Sequence, residues 1–403
     1  MIRWLSGALL VLCAGFAGAQ AESLKEAYDG VFQIGTALGS EDVEHDYIYP
    51  MRKNADELEI IAREFDCITP ENLMKWEYLH PEPGFYNFEQ ADEFMAFAEA
   101  KGLDVVGHAL VWHSQVPDWL FKDERGNPVS RDVLVERMRD HIHTVVGRYK
   151  GRIKYWDVVN EAVLTRWEDG RLQQRCVAFY RQSPWLKIIG EEYIELAFRF
   201  AREADPDAVL LYNDYSMTDL EKTRFVARMI RDLRSRGVPI DGVGMQGHWH
   251  LEYPKREELR QAIDLLSAAG VRVSITELDI GVLPRFDNDS GADLDNLSAY
   301  RAELDPYKNG LPPRVEQEQI ETYRMIIEVL LANREKVERV TFWGVSDRDS
   351  WKNDYPISGR TDYPLLFDRQ MRPKPVYEML INLMNDRAER KAVISSPSAG
   401  HRE

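Results

Sequence analysis

Eight short apolar runs recur along the chain, near 32–38, 65–69, 105–112, 153–160, 209–212, 242–246, 271–277 and 340–345. Each is followed by a stretch with apolar residues at helical spacing. Around 271 the pattern is plain: Val271, Val273 and Ile275 alternate with Arg272, Ser274 and Thr276, the period of two that marks a strand. The helical stretches carry clear stops. Residues 88–100 bring Phe94, Phe97 and Ala98 to one face and stop at Gly102; 130–149 space Leu134, Met138, Ile142 and Val145 along one stripe and stop at Gly151. Thr218 with Glu221 reads as a capping box for a helix through Phe225, Met229 and Leu233 to Gly237, and Leu259, Ile263 and Leu266 line the next, which stops at Gly270.

Eight β-then-α units fit a closed parallel barrel, the α/β (β/α)8 TIM barrel, better than an open doubly wound sheet. The segment 34–39 lacks the glycine spacing of a dinucleotide loop. No internal repeat or Ser/Pro-rich linker interrupts the pattern, so a single catalytic domain is expected over 22–387. Residues 1–21 read as a cleaved signal peptide: Arg3 is the positive start, 5–16 the apolar core and 17–21 the small-residue cleavage region. No later run approaches the ~20 apolar residues that a membrane span requires. A periplasmic or secreted protein is expected, and a monomer. Residues 388–403 are polar and are expected to form a loose tail.

Of 403 residues, 44% are apolar, enough for a large core, and the net charge of −17 argues against nucleic acid or an anionic membrane surface as a partner. Beyond the signal only Cys67 and Cys176 remain; Cys67 lies in an apolar run, where a buried free thiol is expected rather than a bridge. Two connections, 164–190 and 281–313, are long for a barrel and are expected to shape a cleft. The second holds Asp287, Asp289 and Asp293, which hints at calcium, but its glycine is misplaced for a calcium loop and no Glu closes it.

Chemistry gathers at the strand ends. The second strand gives Glu71, Asn72 and Lys75; the third His108, Trp112 and His113; the fourth Asn160 and Glu161; the fifth Asn213, Asp214 and Tyr215. Gln246, His248 and Trp249 follow the sixth, Glu277 and Asp279 the seventh, and Trp343 and Trp351 the eighth. Two strand-end glutamates among tryptophans and amides suit carboxylate-pair chemistry on a sugar, whose apolar ring faces stack on indoles while its hydroxyls take hydrogen bonds. Each residue alone has a plainer reading: a lone strand-end Glu suits a structural salt bridge, and a lone Trp suits the core. A zinc site through His108 and His248, or magnesium on the carboxylates, would leave the tryptophans unexplained. His248 and His250 are not expected to reach one ion, and no cofactor is expected.

The motifs themselves resemble those of glycoside hydrolase family 10, the endo-1,4-β-xylanases. Residues 156–161 (Trp-Asp-Val-Val-Asn-Glu) and 275–279 (Ile-Thr-Glu-Leu-Asp) are similar to the two signature strands, and 69–76, 107–115, 213–215, 244–248 and 342–351 to the others, in family order over about 32–380. The resemblance implies retaining hydrolysis of xylan or xylo-oligosaccharides, with Glu161 as general acid/base and Glu277 as nucleophile. It implies that Asn160 bonds the sugar 2-hydroxyl and that Lys75, His108, Trp112, Gln246, Trp343 and Trp351 wall the sugar on the non-reducing side of the cut. Glu71 and Asn72 would lie one sugar further out, Tyr215 near the reducing-side sugar, and His248, oriented by Asp279, beside Glu277. Other classes stay open at this point: a retaining barrel glycosidase on another glycan, such as β-1,4-glucan, a non-hydrolytic carbohydrate-binding protein and a magnesium-dependent lyase.

Overall fold

A computed structural model describes residues 21–39, 41–43, 46–48, 55–169, 174–284, 304–355 and 358–395. The expected signal segment up to residue 20, the acidic 287–293 stretch and residues 396–403 lie outside these. Among the described residues eight parallel strands form a closed barrel. They are β1 (Gln33–Leu38), β2 (Cys67–Pro70), β3 (Asp104–Val111), β4 (Tyr155–Asn160), β5 (Val209–Asp214), β6 (Gly242–Met245), β7 (Arg272–Gly281) and β8 (Val337–Phe342). Each pairs with the next, and β8 closes on β1 with Gln33 beside Arg339 and Thr36 beside Phe342. Eight helices wrap the outside: α1 (Ala55–Glu64), α2 (Glu89–Lys101), α3 (Arg131–Arg148), α4 (Glu192–Ala204), α5 (Leu220–Ser235), α6 (Arg256–Ser267), α7 (Pro313–Ala332) and α8 (Pro375–Ser395).

The strands are buried on both faces, as a parallel sheet covered by helices outside and filled by side chains inside must be. The large core lies between strands and helices; inside the barrel Cys67, Val106, Tyr155 and Leu211 form a smaller apolar cluster. The alternation read along β7 therefore overstates the difference between its faces: Ser274 and Thr276 are as buried as their neighbours. Close packing also fixes Gly107, where an added Cβ would overlap the indole of Trp156 on β4.

Helix ends follow local chemistry. Ser130 caps α3 by accepting from the Val133 amide, and Gly102 ends α2 in the left-handed conformation at φ 66°. At α5 the cap is Asp219, whose carboxylate accepts from the Glu221 amide at 3.0 Å, rather than Thr218, whose hydroxyl turns to Tyr253. Asp accepts such a bond with a full charge, so the cap falls one residue later than expected.

Two further expectations are corrected. β8 begins at Val337, three residues before the expected start, because Glu338 and the fully buried Arg339 interrupt the apolar pattern that marks a strand. Among the described residues the 164–190 connection, expected to shape a cleft, forms an antiparallel hairpin, Val163–Asp169 with Gln174–Tyr180, and then the short helix Pro184–Ile189. α8 continues to Ser395, eight residues into the segment expected to be loose; Arg387, Ala388, Glu389, Arg390 and Lys391 are mostly polar but all strong helix formers, and Pro397 lies beyond. Cys67 and Cys176 are free thiols, the former buried. No described helix is long and apolar enough to cross a membrane.

Candidate active site

At the C-terminal mouth of the barrel a cleft of about 730 Å³ is lined by both candidate glutamates, Glu161 and Glu277. With them are Glu71, Asn72, Lys75, His108, Trp112, Asn160, Tyr215, Gln246, His248, Trp343 and Trp351. Every cleft residue expected from the sequence is there, and Asp279 lies just behind, fully buried. Ser114, Gln115, Arg181, Ser216 and Tyr355 complete the wall.

Glu277 lies within β7, which runs on to Gly281, and not at its end. Its backbone amide donates to Gln246 O at 2.6 Å, tying β7 to the end of β6. Its carboxylate accepts from Asn213 Nδ2 at 2.7 Å through Oε1 and meets His248 Nε2 at 3.0 Å through Oε2. Burial alone would raise its titration; the His248 bond first, the nearby His108 and His248 charges, and the Asn213 bond hold it below the usual carboxylate range. The ionised form of Glu277 is therefore favoured.

His248 is the hinge of this electrostatic arrangement. Its Nδ1 lies 3.0 Å from Asp279 Oδ2, and Asp279 also receives Trp351 Nε1 at 2.9 Å and Lys352 Nζ at 2.7 Å. Burial disfavours the imidazolium, but Asp279 and then Glu277 outweigh it and hold the ring up at about 9. His250, two residues on, stacks on Tyr253 at 5.6 Å instead. Residues i and i+2 of a strand share a face, yet these two rings part. The short His248–His250 strand ends in a turn, and Tyr253 takes the second ring.

Glu161 follows the last residue of β4 and has φ +58°, the left-handed region that costs a non-glycine residue about 1–3 kcal/mol. Bonds on both sides hold it there: its amide donates to Asn213 O at 2.9 Å, and its carbonyl accepts from Arg181 Nε at 2.8 Å. Its carboxylate accepts from Gln246 Nε2 at 3.1 Å and lies 3.7 Å from Arg181 and 4.0 Å from His113. Burial, followed by the Arg181 charge, lowers His113 to about 4, so that ring is neutral near pH 7. The two glutamates are joined by a chain of amides. Asn213 Nδ2 reaches both Glu277 and Asn160 Oδ1 (3.0 Å), and Gln246 Nε2 reaches both Asn160 Oδ1 (3.4 Å) and Glu161.

On the other side of Glu277, His108 Nδ1 is held by Asp157 at 2.8 Å, and the ring meets Trp343 edge to face at 5.4 Å. Lys75 donates to Asn72 at 2.8 Å and Gln115 at 2.6 Å, and its Nζ lies 4.8 Å from the centre of the Trp112 indole. Burial lowers the Lys75 ammonium against the pull of Glu71, Glu277 and Glu161, and burial raises Glu71 against the pull of Lys75. Trp112, Trp343, Trp351 and Tyr355 wall the space above. A charged floor under aromatic walls is the combination that a sugar ring requires.

The sequence reading left several working residues unassigned. Asn213, which bonds Glu277, Asn160 and Thr276, was grouped at its strand end without a task. Lys352 lay in a loop given no role. Arg181 carries no local signal, because only the hairpin's register brings it back beside Glu161.

A model of the family described as Glycosyl hydrolase family 10 matches residues 23–383. Endo-1,4-beta-xylanase A of Xylanibacter ruminicola is 42% identical over 95% of this chain and 99% of its own length. The endo-1,4-beta-xylanase of Geobacillus stearothermophilus is 38% identical over 90% and 98%. Among solved structures, a GH10 endoxylanase retrieved from sugarcane soil metagenome superposes with a TM-score of 0.78 at 44% identity, over 90% of this chain and 99% of that one. Xylanase 10B of Thermotoga maritima gives 0.73 at 34%, over 91% and 99%. Sequence, fold and neighbours agree, and this chain belongs to glycosyl hydrolase family 10.

Proposed function

We propose that the chain is a retaining endo-1,4-β-xylanase that cuts internal bonds of xylan or xylo-oligosaccharides, with Glu277 as nucleophile and Glu161 as general acid/base. The observation that carries this reading is the unequal treatment of two carboxylates on one cleft. Glu277 accepts short bonds from Asn213 and the His248 imidazolium, whereas Glu161 has one amide donor at 3.1 Å, a neutral His113, and a guanidinium at 3.7 Å whose Nε and Nη2 donate to other acceptors. In the first step Glu277 Oε attacks the anomeric carbon, the glycosidic C–O bond breaks, and the Glu161 proton goes to the departing oxygen. In the second, Glu161 takes a proton from water, whose oxygen attacks the same carbon, and the Glu277 ester bond breaks. Inversion twice gives net retention.

Lys75, His108, Trp112, Gln246, Trp343 and Trp351 hold the sugar on the non-reducing side of the cut, and Asn160 bonds its 2-hydroxyl. Glu71 and Asn72 reach one sugar further, and Tyr215 meets the reducing-side sugar. The protein is exported, residues 1–21 being removed as a signal peptide, and acts as a monomer. In a direct test, Glu277→Ala and Glu161→Ala each lower xylan hydrolysis by several orders of magnitude with folding intact, and near-native hydrolysis by either variant refutes the assignment. Reducing-sugar release from xylan against carboxymethylcellulose separates this reading from a β-1,4-glucanase.

A further inference from the structure

We propose that Arg181 is a positioning residue for Glu161, and that the hairpin after β4 exists in part to deliver it. The inference rests on the reading of Glu161 as the acid. Arg181 is 20 residues from Glu161 along the chain, yet the hairpin register, Val163 beside Tyr180, returns the chain to its starting point. There the Arg181 amide donates to Ala162 O at 2.8 Å, so the two segments run side by side at the mouth of the cleft.

The guanidinium uses its fork. Nε donates to the Glu161 carbonyl at 2.8 Å, while Nη2 donates to the Tyr215 hydroxyl at 2.9 Å and stands 3.7 Å from Glu161 Oε2. Together with the Glu161 amide bond to Asn213 O, this closes a clamp around a residue in the left-handed region. A non-glycine residue at φ +58° is less stable than in the right-handed or extended regions, and a move to either would redirect its side chain. The rigid plane of arginine presents separate nitrogens to two fixed acceptors; a lysine ammonium gathers its donors on one atom at the end of a flexible stem and does not reproduce that fork. The clamp thus keeps the Glu161 carboxyl at the position of the departing oxygen, and only a reaction that needs that proton should depend on it.

Two substrates with the same sugar isolate this dependence. Phenyl β-xylobioside has a poor leaving group that needs protonation, whereas 2,4-dinitrophenyl β-xylobioside departs without it, and kcat/KM reports the bond-breaking step for both. Arg181→Met should lose about 30-fold or more on the phenyl substrate, a large share of what general acid catalysis supplies, and less than about 3-fold on the dinitrophenyl one. Equal losses on both, as a merely structural role gives, or no loss on either, would overturn the proposal. Arg181→Lys, which keeps the charge without the fork, should stay about 5-fold or more below wild type on phenyl β-xylobioside; full recovery overturns the clamp. Should Arg181→Met fail to fold, Arg181→Gln, which keeps a polar side chain without the charge or the fork, must show the same selectivity between substrates. Glu161→Ala, run alongside, tests the underlying reading separately. If it lacks the phenyl-selective loss, the acid assignment fails, and this inference with it. If it shows the loss and Arg181→Met does not, only the inference fails.

Discussion

Replacing Asp279 by Asn keeps the shape of the group behind His248 and removes its charge. In the native site the ring donates from Nε2 to Glu277 and from Nδ1 to Asp279, each at 3.0 Å, and only the imidazolium can do both. Burial disfavours that cation, but Asp279 and Glu277 hold it up at about 9 against an ordinary 6.5, a preference of about 3 kcal/mol. Asn offers no charge, so the ring becomes neutral near pH 7, and Lys352, its carboxylate gone, disfavours the cation further. The bond to Glu277 then changes from charge-assisted to ordinary, a loss of about 1–2 kcal/mol for the ionised carboxylate. Glu277 is held below its usual range, so its active, ionised form is present above that titration and is lost as pH falls through it. Weaker support moves the loss to higher pH, by about one pH unit. The assay is the pH profile of kcat/KM for 2,4-dinitrophenyl β-xylobioside, which needs no acid and so reports the nucleophile. An acidic limb that stays in place, or moves to lower pH, refutes the reasoning.

Lys75→Met removes a charged donor to Asn72 and Gln115, and kcat/KM on xylo-oligosaccharides should fall by about 10- to 100-fold, mostly through KM; a change confined to kcat would contradict the binding role. His80 and His141 face each other with Nδ1 atoms 3.2 Å apart, His141 stacked on Trp76 at 3.6 Å. Burial lowers both rings, His80 to about 4. The unfolded chain therefore takes up protons first, and stability present above about pH 6.5 is lost as pH falls towards 4. Calorimetry at pH 7 and 4.5 should show a smaller fall in Tm for His141→Phe than for wild type; an equal or larger fall counts against it. Gly107→Ala should lower Tm or abolish folding, at a cost of about 1–3 kcal/mol or more, because the new methyl meets the Trp156 ring. An unchanged Tm would mean that β3 and β4 can separate freely there.

The sequence carried the fold because a parallel barrel repeats one simple unit: an apolar run, a stop, and an amphipathic helix. It was least informative where tertiary packing changes the local pattern. Arg339 hides the start of β8 because a buried charge does not look like a strand residue, and α8 outruns its expected end because polarity was taken for looseness. In the site, residues that present chemistry at strand ends were visible, and so was Asp279 behind His248, but most of the other residues that hold them were not. Asp157 behind His108, Lys352 behind Asp279 and Gln115 beside Lys75 are partners set by three-dimensional approach. Arg181 is the extreme case, brought to Glu161 only by the pairing of two hairpin strands.

The central claim is that Glu277 forms a bond to the sugar, and mass spectrometry can look for that bond. Incubation with 2,4-dinitrophenyl 2-deoxy-2-fluoro-β-xylobioside slows the second step more than the first, so the ester accumulates. Peptide mapping should then place a single fluoro-xylobiosyl group on Glu277, with Glu161→Ala still labelled. Label on another residue, or turnover without any covalent adduct, would contradict the account.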